Sequence, residues 1–234
     1  MNVPPDGNAA LTRSRAARAV PGAVASAAAC LVLLALLGAA VRSEFGPLLR
    51  LDASVSEALY VGDDRAPGLN GLLEVLTAPG LSWIRFLVFL PVLVLLLRRR
   101  AWWTSAWLVT AVVLIAPLTG LLKDYFGRIR PDFAEGGARY ESLSFPSGHS
   151  SGIATLVTVG LILAWPLLAA HTRRWALVVG VVLVVLVGLT RMWLGVHYLS
   201  DVIGGWALGV AWSLLTALLF GALANGRAAL RPTT

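Results

Sequence analysis

Charge is scarce in this sequence. Only 13% of its 234 residues are Asp, Glu, Lys or Arg, roughly half the ~25% of a typical soluble domain. With 58% hydrophobic residues and nine tryptophans, that shortage excludes a soluble globular domain and indicates a polytopic membrane protein. Cysteine is reduced to Cys30, which lies in an apolar run, so no intrachain disulfide can form. Long basic runs are missing as well. None exceeds Arg98-Arg99-Arg100, and the net charge of +7 is dispersed between apolar stretches, which argues against nucleic acid as a partner. Lysine is the rarest charge: eighteen arginines accompany one lysine, Lys123. The two are not interchangeable where a compact, strongly hydrated point charge is wanted, so Lys123 is marked as a residue kept for its chemistry. No internal repeat or low-complexity segment is present.

What the sequence has in abundance is apolar runs of membrane length. A transmembrane helix takes ~20 apolar residues, and six stretches meet or approach this: Gly22 to Val41, Gly80 to Leu97, Ala101 to Leu122, Ser147 to Ala170, Trp175 to about Leu194, and Val202 to Ala224. The expected fold is an all-α bundle of six transmembrane helices in one domain, 22–224, between tails at 1–21 and 225–234. The first span reads as an uncleaved signal anchor, given its length and the five spans after it. Prolines 91, 117 and 166 fall inside three spans, where membrane helices tolerate them. Arg85, near one end of the second span, is expected to snorkel to the headgroups.

With the N-terminus cytoplasmic, the inner segments hold ten arginines (13, 15, 18, 98, 99, 100, 173, 174, 227 and 231) against one acid, Asp6, a balance of +9. The outer segments then carry −2, so the positive-inside rule puts both termini in the cytoplasm. Trp102, Trp103 and Trp175, beside inner arginines, fit an interfacial aromatic belt. The outer segment from Arg42 to Pro79 is too polar to cross. Ser54 followed by Glu57 reads as a capping box, and Leu69, Leu72, Leu73 and Leu76 fall at helical spacing, predicting one or two short amphipathic helices on the extracytoplasmic surface. His171 reads as part of a solvated inner turn, and Glu44, Asp63, Asp64, Asp132, Glu135 and Glu141 as solvated outer acids.

This topology gathers three constellations at the outer face: Lys123 with Arg130-Pro131, Pro146-Ser147-Gly148-His149, and Arg191 with His197 and Asp201. Taken singly, an outer His-Asp pair, an Arg-Pro and a Ser-Gly at a helix start are ordinary surface, loop and capping features. In order and on one face they read as an active site. His197 and Asp201, at i and i+4, are spaced so that on a helix the carboxylate accepts an imidazole N–H, leaving the other nitrogen as nucleophile or base. Lys123, Arg130 and Arg191 supply three cations for one acceptor. Ser147 and Gly148 at a helix start offer backbone N–H groups and the positive dipole end to an anion. His149 is able to protonate a leaving oxygen. Gly195 is the expected break that lets Arg191 and His197 face one ligand.

These residues resemble the signature of the type-2 phosphatidic acid phosphatase and vanadium haloperoxidase superfamily. The three parts read Lys-x6-Arg-Pro from Lys123 to Pro131, Pro-Ser-Gly-His from Pro146 to His149, and a third from Thr190 to Asp201 in which Thr190 replaces the usual Ser and retains its hydroxyl. The resemblance is most specific over Ala101 to Trp206. It implies that His197 attacks phosphorus, Asp201 orients it, and His149 serves as general acid and then as base for the water that cleaves the phosphohistidine. Lys123, Arg130, Arg191, Ser147 and the Gly148 amide would hold the equatorial oxygens, with no metal or other cofactor. The implied substrate is a lipid phosphate or diphosphate: a polyprenyl diphosphate such as undecaprenyl diphosphate, phosphatidic acid, phosphatidylglycerol phosphate or diacylglycerol diphosphate. No obligatory protein partner is evident. The expected location is the plasma membrane, and the arginine-biased composition suggests a GC-rich bacterium. The alternatives are transfer of the phosphoryl group to an alcohol, a non-catalytic phosphate-binding membrane protein, and a metal site built from His149, His197 and Asp201, whose neighbouring cations would repel a dication.

Overall fold

The apolar runs fold as helices, each closed at a point where proline, glycine or charge interrupts the pattern. The computed structural model describes residues 7–62, 66–133, 142–223 and 226–230, and among them contains helices and short 3-10 turns without a strand. In chain order these are α1 (Gly7–Arg42), α2 (Gly46–Leu59), α3 (Pro67–Thr77), α4 (Ser82–Arg98), α5 (Trp102–Phe126), α6 (Gly148–Ala164), α7 (Ala170–Trp193) and α8 (Leu199–Phe220). Segments Val20–Arg42, Trp102–Phe126, Gly148–Leu167, Ala170–Trp193 and Leu199–Phe220 are long and apolar enough to cross a membrane. A sixth crossing results when Gly68–Gly80 and Ser82–Arg98, bent by 50°, are taken together.

The expected spans need revision at several ends. The second does not begin at Gly80: Ala78–Gly80 forms a 3-10 turn, Leu81 is extended, and α4 starts at Ser82 with 17 residues. Pro91 and Pro117 lie inside α4 and α5, and Pro166 lies inside the crossing segment Gly148–Leu167, where it turns the end of α6 into a 3-10 turn, Trp165–Leu167, because it has no N–H to continue the ladder. Helix α7 begins at Ala170, so exposed His171 stands in its first turn instead of a loop. The Ser54/Glu57 capping box does not exist. Pro in the first turn starts α2 at Gly46, leaving Ser54 mid-helix with its hydroxyl donating to the Leu51 carbonyl at 3.0 Å. Arg85 does not snorkel: it is 1% exposed and donates from Nε to the Val112 carbonyl of α5 at 3.1 Å. Glu44 and Asp132 are exposed as expected. Asp6, Asp63, Asp64, Glu135, Glu141, Arg231 and the predicted span end at Ala224 lie outside the described residues.

Helix α8 is the centre of the bundle, packed on α6, α1 and α5. Its approach to α6 depends on Gly205 and Gly209. A Cβ at either would fall 2.6 Å from the Ser147 carbonyl or 2.5 Å from that of Ser151, the close backbone contact that small residues permit between membrane helices. Phe145, fully buried, packs edge-on against Phe126 with ring centroids 4.9 Å apart. It thereby seats the segment before α6 on the end of α5, beside Leu34, Ile115 and Leu208. Leu73 of α3 packs with Leu194 and Val196, so α3 rests on the turn between α7 and α8.

Candidate active site

That turn is built around one glycine. Gly195 has φ +67°, and a Cβ there would stand 2.7 Å from the rings of both Phe133 and Tyr60, so neither the backbone angle nor the space suits another residue. As expected, α7 breaks beside it. The chain then bends at Val196 and His197, is extended at Tyr198, and α8 begins at Leu199, which places His197 before the helix instead of within it. The i, i+4 pairing forms by another route. Asp201, in the first turn of α8, folds back as the acidic half of a capping box, accepting the Tyr198 N–H at 2.9 Å and facing His197 Nδ1 at 3.3 Å through the same Oδ2.

The other face of the imidazole meets Arg130. Its Nη1 is 3.2 Å from His197 Nε2 and donates to the Val196 carbonyl at 2.7 Å, while Nε and Nη2 hold the Ser142 carbonyl and hydroxyl at 2.7 and 2.9 Å. A guanidinium can only donate. Nε2 is therefore the lone-pair nitrogen, and the ring proton sits on Nδ1 toward Asp201, the tautomer a nucleophilic Nε2 requires. His197 is 2% exposed. Burial pushes its pKa down to about 3, the Asp201 hydrogen bond and charge oppose this, and Arg130 and Arg191 add to it. The imidazole is neutral at physiological pH.

Asp201 is anchored by residues the sequence reading did not single out. Ser144 donates its hydroxyl to Oδ2 and lies 3.3 Å from His197 Nδ1, and Arg128 donates to Oδ1 at 2.9 Å. Arg128 also reaches Asp52 of α2 at 2.7 Å and the Ser200 hydroxyl at 2.6 Å. Asp52 in turn accepts the Ser200 N–H and hydroxyl at 2.9 and 2.6 Å. With its oxygens so engaged, Asp201 is unsuited to share a metal with two histidines. Among the described residues no three His, Cys, Asp or Glu side chains form a metal-sized cluster.

The remaining candidates surround this pair. Lys123, one turn from the end of α5, donates to the Leu143 carbonyl and, at 3.5 Å, to that of Ser144. Ser147 is buried beneath the start of α6, where its hydroxyl accepts the Ser150 N–H at 3.4 Å and its own N–H donates to the Asp201 carbonyl at 2.9 Å. It fastens α6 to α8, and Gly148 is more open, with nothing within 4 Å of an added Cβ. His149 follows in the first turn and lines, with Lys123, Gly148 and Ser151, a cavity of about 270 Å³. Arg191, in the last turn of α7, donates to Thr77 at the end of α3 at 3.3 Å. The charges of Arg191, Arg130 and Lys123 all act on His149, so the three constellations share one electrostatic neighbourhood.

The chain is similar to known proteins in sequence and in fold. Residues 101–224 match the PAP2 superfamily. The chain is 34% identical over 166 residues to phosphatidylglycerophosphatase B of Bacillus subtilis, covering 68% of this chain and 78% of that protein. It is 33% identical over 147 residues to undecaprenyl-diphosphatase of Sulfolobus acidocaldarius, covering 60% and 66%. The crystal structure of a transmembrane PAP2-type phosphatidylglycerolphosphate phosphatase from Bacillus subtilis superposes with a TM-score of 0.69 at 28% identity, over 86% of this chain and 98% of that one. Aquifex aeolicus LpxE shares the fold at a TM-score of 0.52 and 23% identity, over 74% of this chain and 95% of that one. Motif order, helical architecture and these relatives agree, and the chain belongs to the PAP2 superfamily.

Proposed function

We propose that this protein is a lipid phosphatase, cleaving a phosphate monoester or diphosphate borne on a membrane lipid through a phosphohistidine at His197. The observation that carries the reading is the imidazole held between Asp201 at Nδ1 and Arg130 at Nε2. Such a nitrogen is neutral, oriented to receive a phosphoryl group, and beside a cation that would hold that group's oxygens. Lys123, Arg130, Arg191 and the Gly148 amide would stabilise the equatorial oxygens, since positioning and electrostatics do nearly all the work of phosphoryl transfer. His149 would protonate the leaving oxygen and then deprotonate the attacking water. The named activities of the relatives support phosphatidylglycerol phosphate and undecaprenyl diphosphate as first candidates.

Release of orthophosphate from a panel of lipid phosphates in detergent tests the activity; no release from any of them rejects it. His149→Ala should slow turnover by ~10²–10⁴ and spare esters with very good leaving groups. An equal loss for good and poor leaving groups rejects the acid role.

We place the site on the extracytoplasmic side of the plasma membrane, with both termini inside. Arg99, Arg100 and Arg227 line one cavity with Trp102 and Trp103, which supports a basic, aromatic inner face. A cysteine at Ile129, 80% exposed on the site side, introduced after Cys30→Ser, should react with a membrane-impermeant thiol reagent in intact cells. One at exposed His171 should not. The opposite labelling inverts the topology.

A further inference from the structure

Arg85 has no role in the chemistry above, yet it is an almost fully buried cation in the first turn of α4. Its Nε holds the Val112 carbonyl and Nη2 lies 3.4 Å from the Ser82 hydroxyl. Among the described residues no carboxylate pairs with it. A charge buried among apolar spans without a counter-ion is costly and marks a functional site. Arg85 lines the 270 Å³ cavity together with Lys123, Gly148 and His149, whereas His197, Arg130 and Arg191 do not. The cavity therefore lies on the flank of the general acid, where a leaving group departs, and it has a cation more than a neutral leaving group needs.

We propose that Arg85 is the cation of a second anion subsite, in the cavity that Lys123 and His149 also line, which holds the phosphate of the leaving group, making lipid diphosphates the preferred substrates. The assignment to substrate rests on the lipid phosphatase reading. In the first step the His197 Nε2–P bond forms and the bridging P–O bond breaks. Its electron pair leaves on the lipid monophosphate, whose charge Arg85 faces. Water then cleaves the phosphohistidine, so lipid diphosphate and water give lipid monophosphate and orthophosphate.

The binding test uses the His197→Ala protein in detergent, titrated calorimetrically with pyrophosphate and with orthophosphate. Pyrophosphate should bind ~10-fold or more tightly, the scale of one added charge-assisted hydrogen bond. Adding Arg85→Gln should bring the two affinities within about twofold of each other. Gly120→Leu should do the same with every charge intact, because Gly120 lines the cavity and has nothing within 4 Å of an added Cβ; it carries the test if Arg85→Gln does not fold. A ratio near one at the outset, or one unmoved by these changes, overturns the subsite. With His197 intact, Arg85→Gln should cut kcat/KM for farnesyl diphosphate by ~10–100-fold and for farnesyl monophosphate by less than about threefold. Equal losses overturn the subsite and leave the phosphatase reading standing. Hydrolysis of neither lipid, with the pyrophosphate preference intact, rejects the phosphatase reading alone.

Discussion

His197→Ala is expected to reduce lipid phosphate turnover by about five to six orders of magnitude, the scale on which loss of a covalent nucleophile is felt. A phosphoenzyme should be trapped by acid quench in wild type and not in the variant. The geometry requires this. His197 has a carboxylate at Nδ1 and a pure donor at Nε2, whereas His149 has no comparable orienting carboxylate among the described hydrogen bonds. Asp201→Asn should cost ~10⁴, because an amide no longer enforces the Nδ1–H tautomer. Normal phosphoenzyme in His197→Ala would sink the assignment. The same burial makes a pH prediction. The folded state keeps His197 neutral down to about 3, while the unfolded chain takes up that proton near 6.5. The unfolded state thus binds more protons between those values, and His197 lowers stability as pH falls from about 6.5 toward 3. Thermal unfolding across that window should show a shallower acid loss in His197→Gln than in wild type. An identical slope would place the imidazole in contact with water.

Much of this site was legible because it depends on identity and order. Lys123, Arg130, His149, Arg191, His197 and Asp201 were recoverable from motifs at the ends of apolar runs, and Gly195 from the angular mismatch between Arg191 and His197. What escaped was set by packing between distant segments. Asp52 looks like any surface acid of an amphipathic helix until α2 is laid against α8, where both its oxygens meet Ser200. Arg128 differs from Arg130 only in lacking a following proline, and Ser144 has no motif. The Ser54/Glu57 pattern misled because a start signal has meaning only where the preceding chain is not already helical; Pro47 had begun α2 seven residues earlier. Arg85 was misread because its acceptor, the Val112 carbonyl, is on a neighbouring helix.

Arg128→Met should lower unfolding free energy by ~3–5 kcal/mol and abolish most activity, because it strands two carboxylates in the interior. Asp52 and Asp201 are both fully buried, and the Arg128 fork spans them at 2.7 and 2.9 Å. Its guanidinium also lies 4.0 Å from the Tyr198 ring centroid, sealing the N-terminus of α8. Lysine cannot reproduce a planar fork between two acceptors, so Arg128→Lys should recover less than half of the loss. The double change Arg128→Met with Asp52→Leu removes one of the two stranded charges and should regain stability. It should not regain turnover, because Asp201 Oδ1 still lacks its anchor and His197 its fixed partner. Denaturant unfolding in detergent and kcat on a soluble-headgroup lipid separate the two effects. If Arg128→Met stays within about 1 kcal/mol of wild type, the network is not what holds α2 to α8. If the double variant recovers full activity, Asp201 is oriented by Ser144 and the Tyr198 N–H alone.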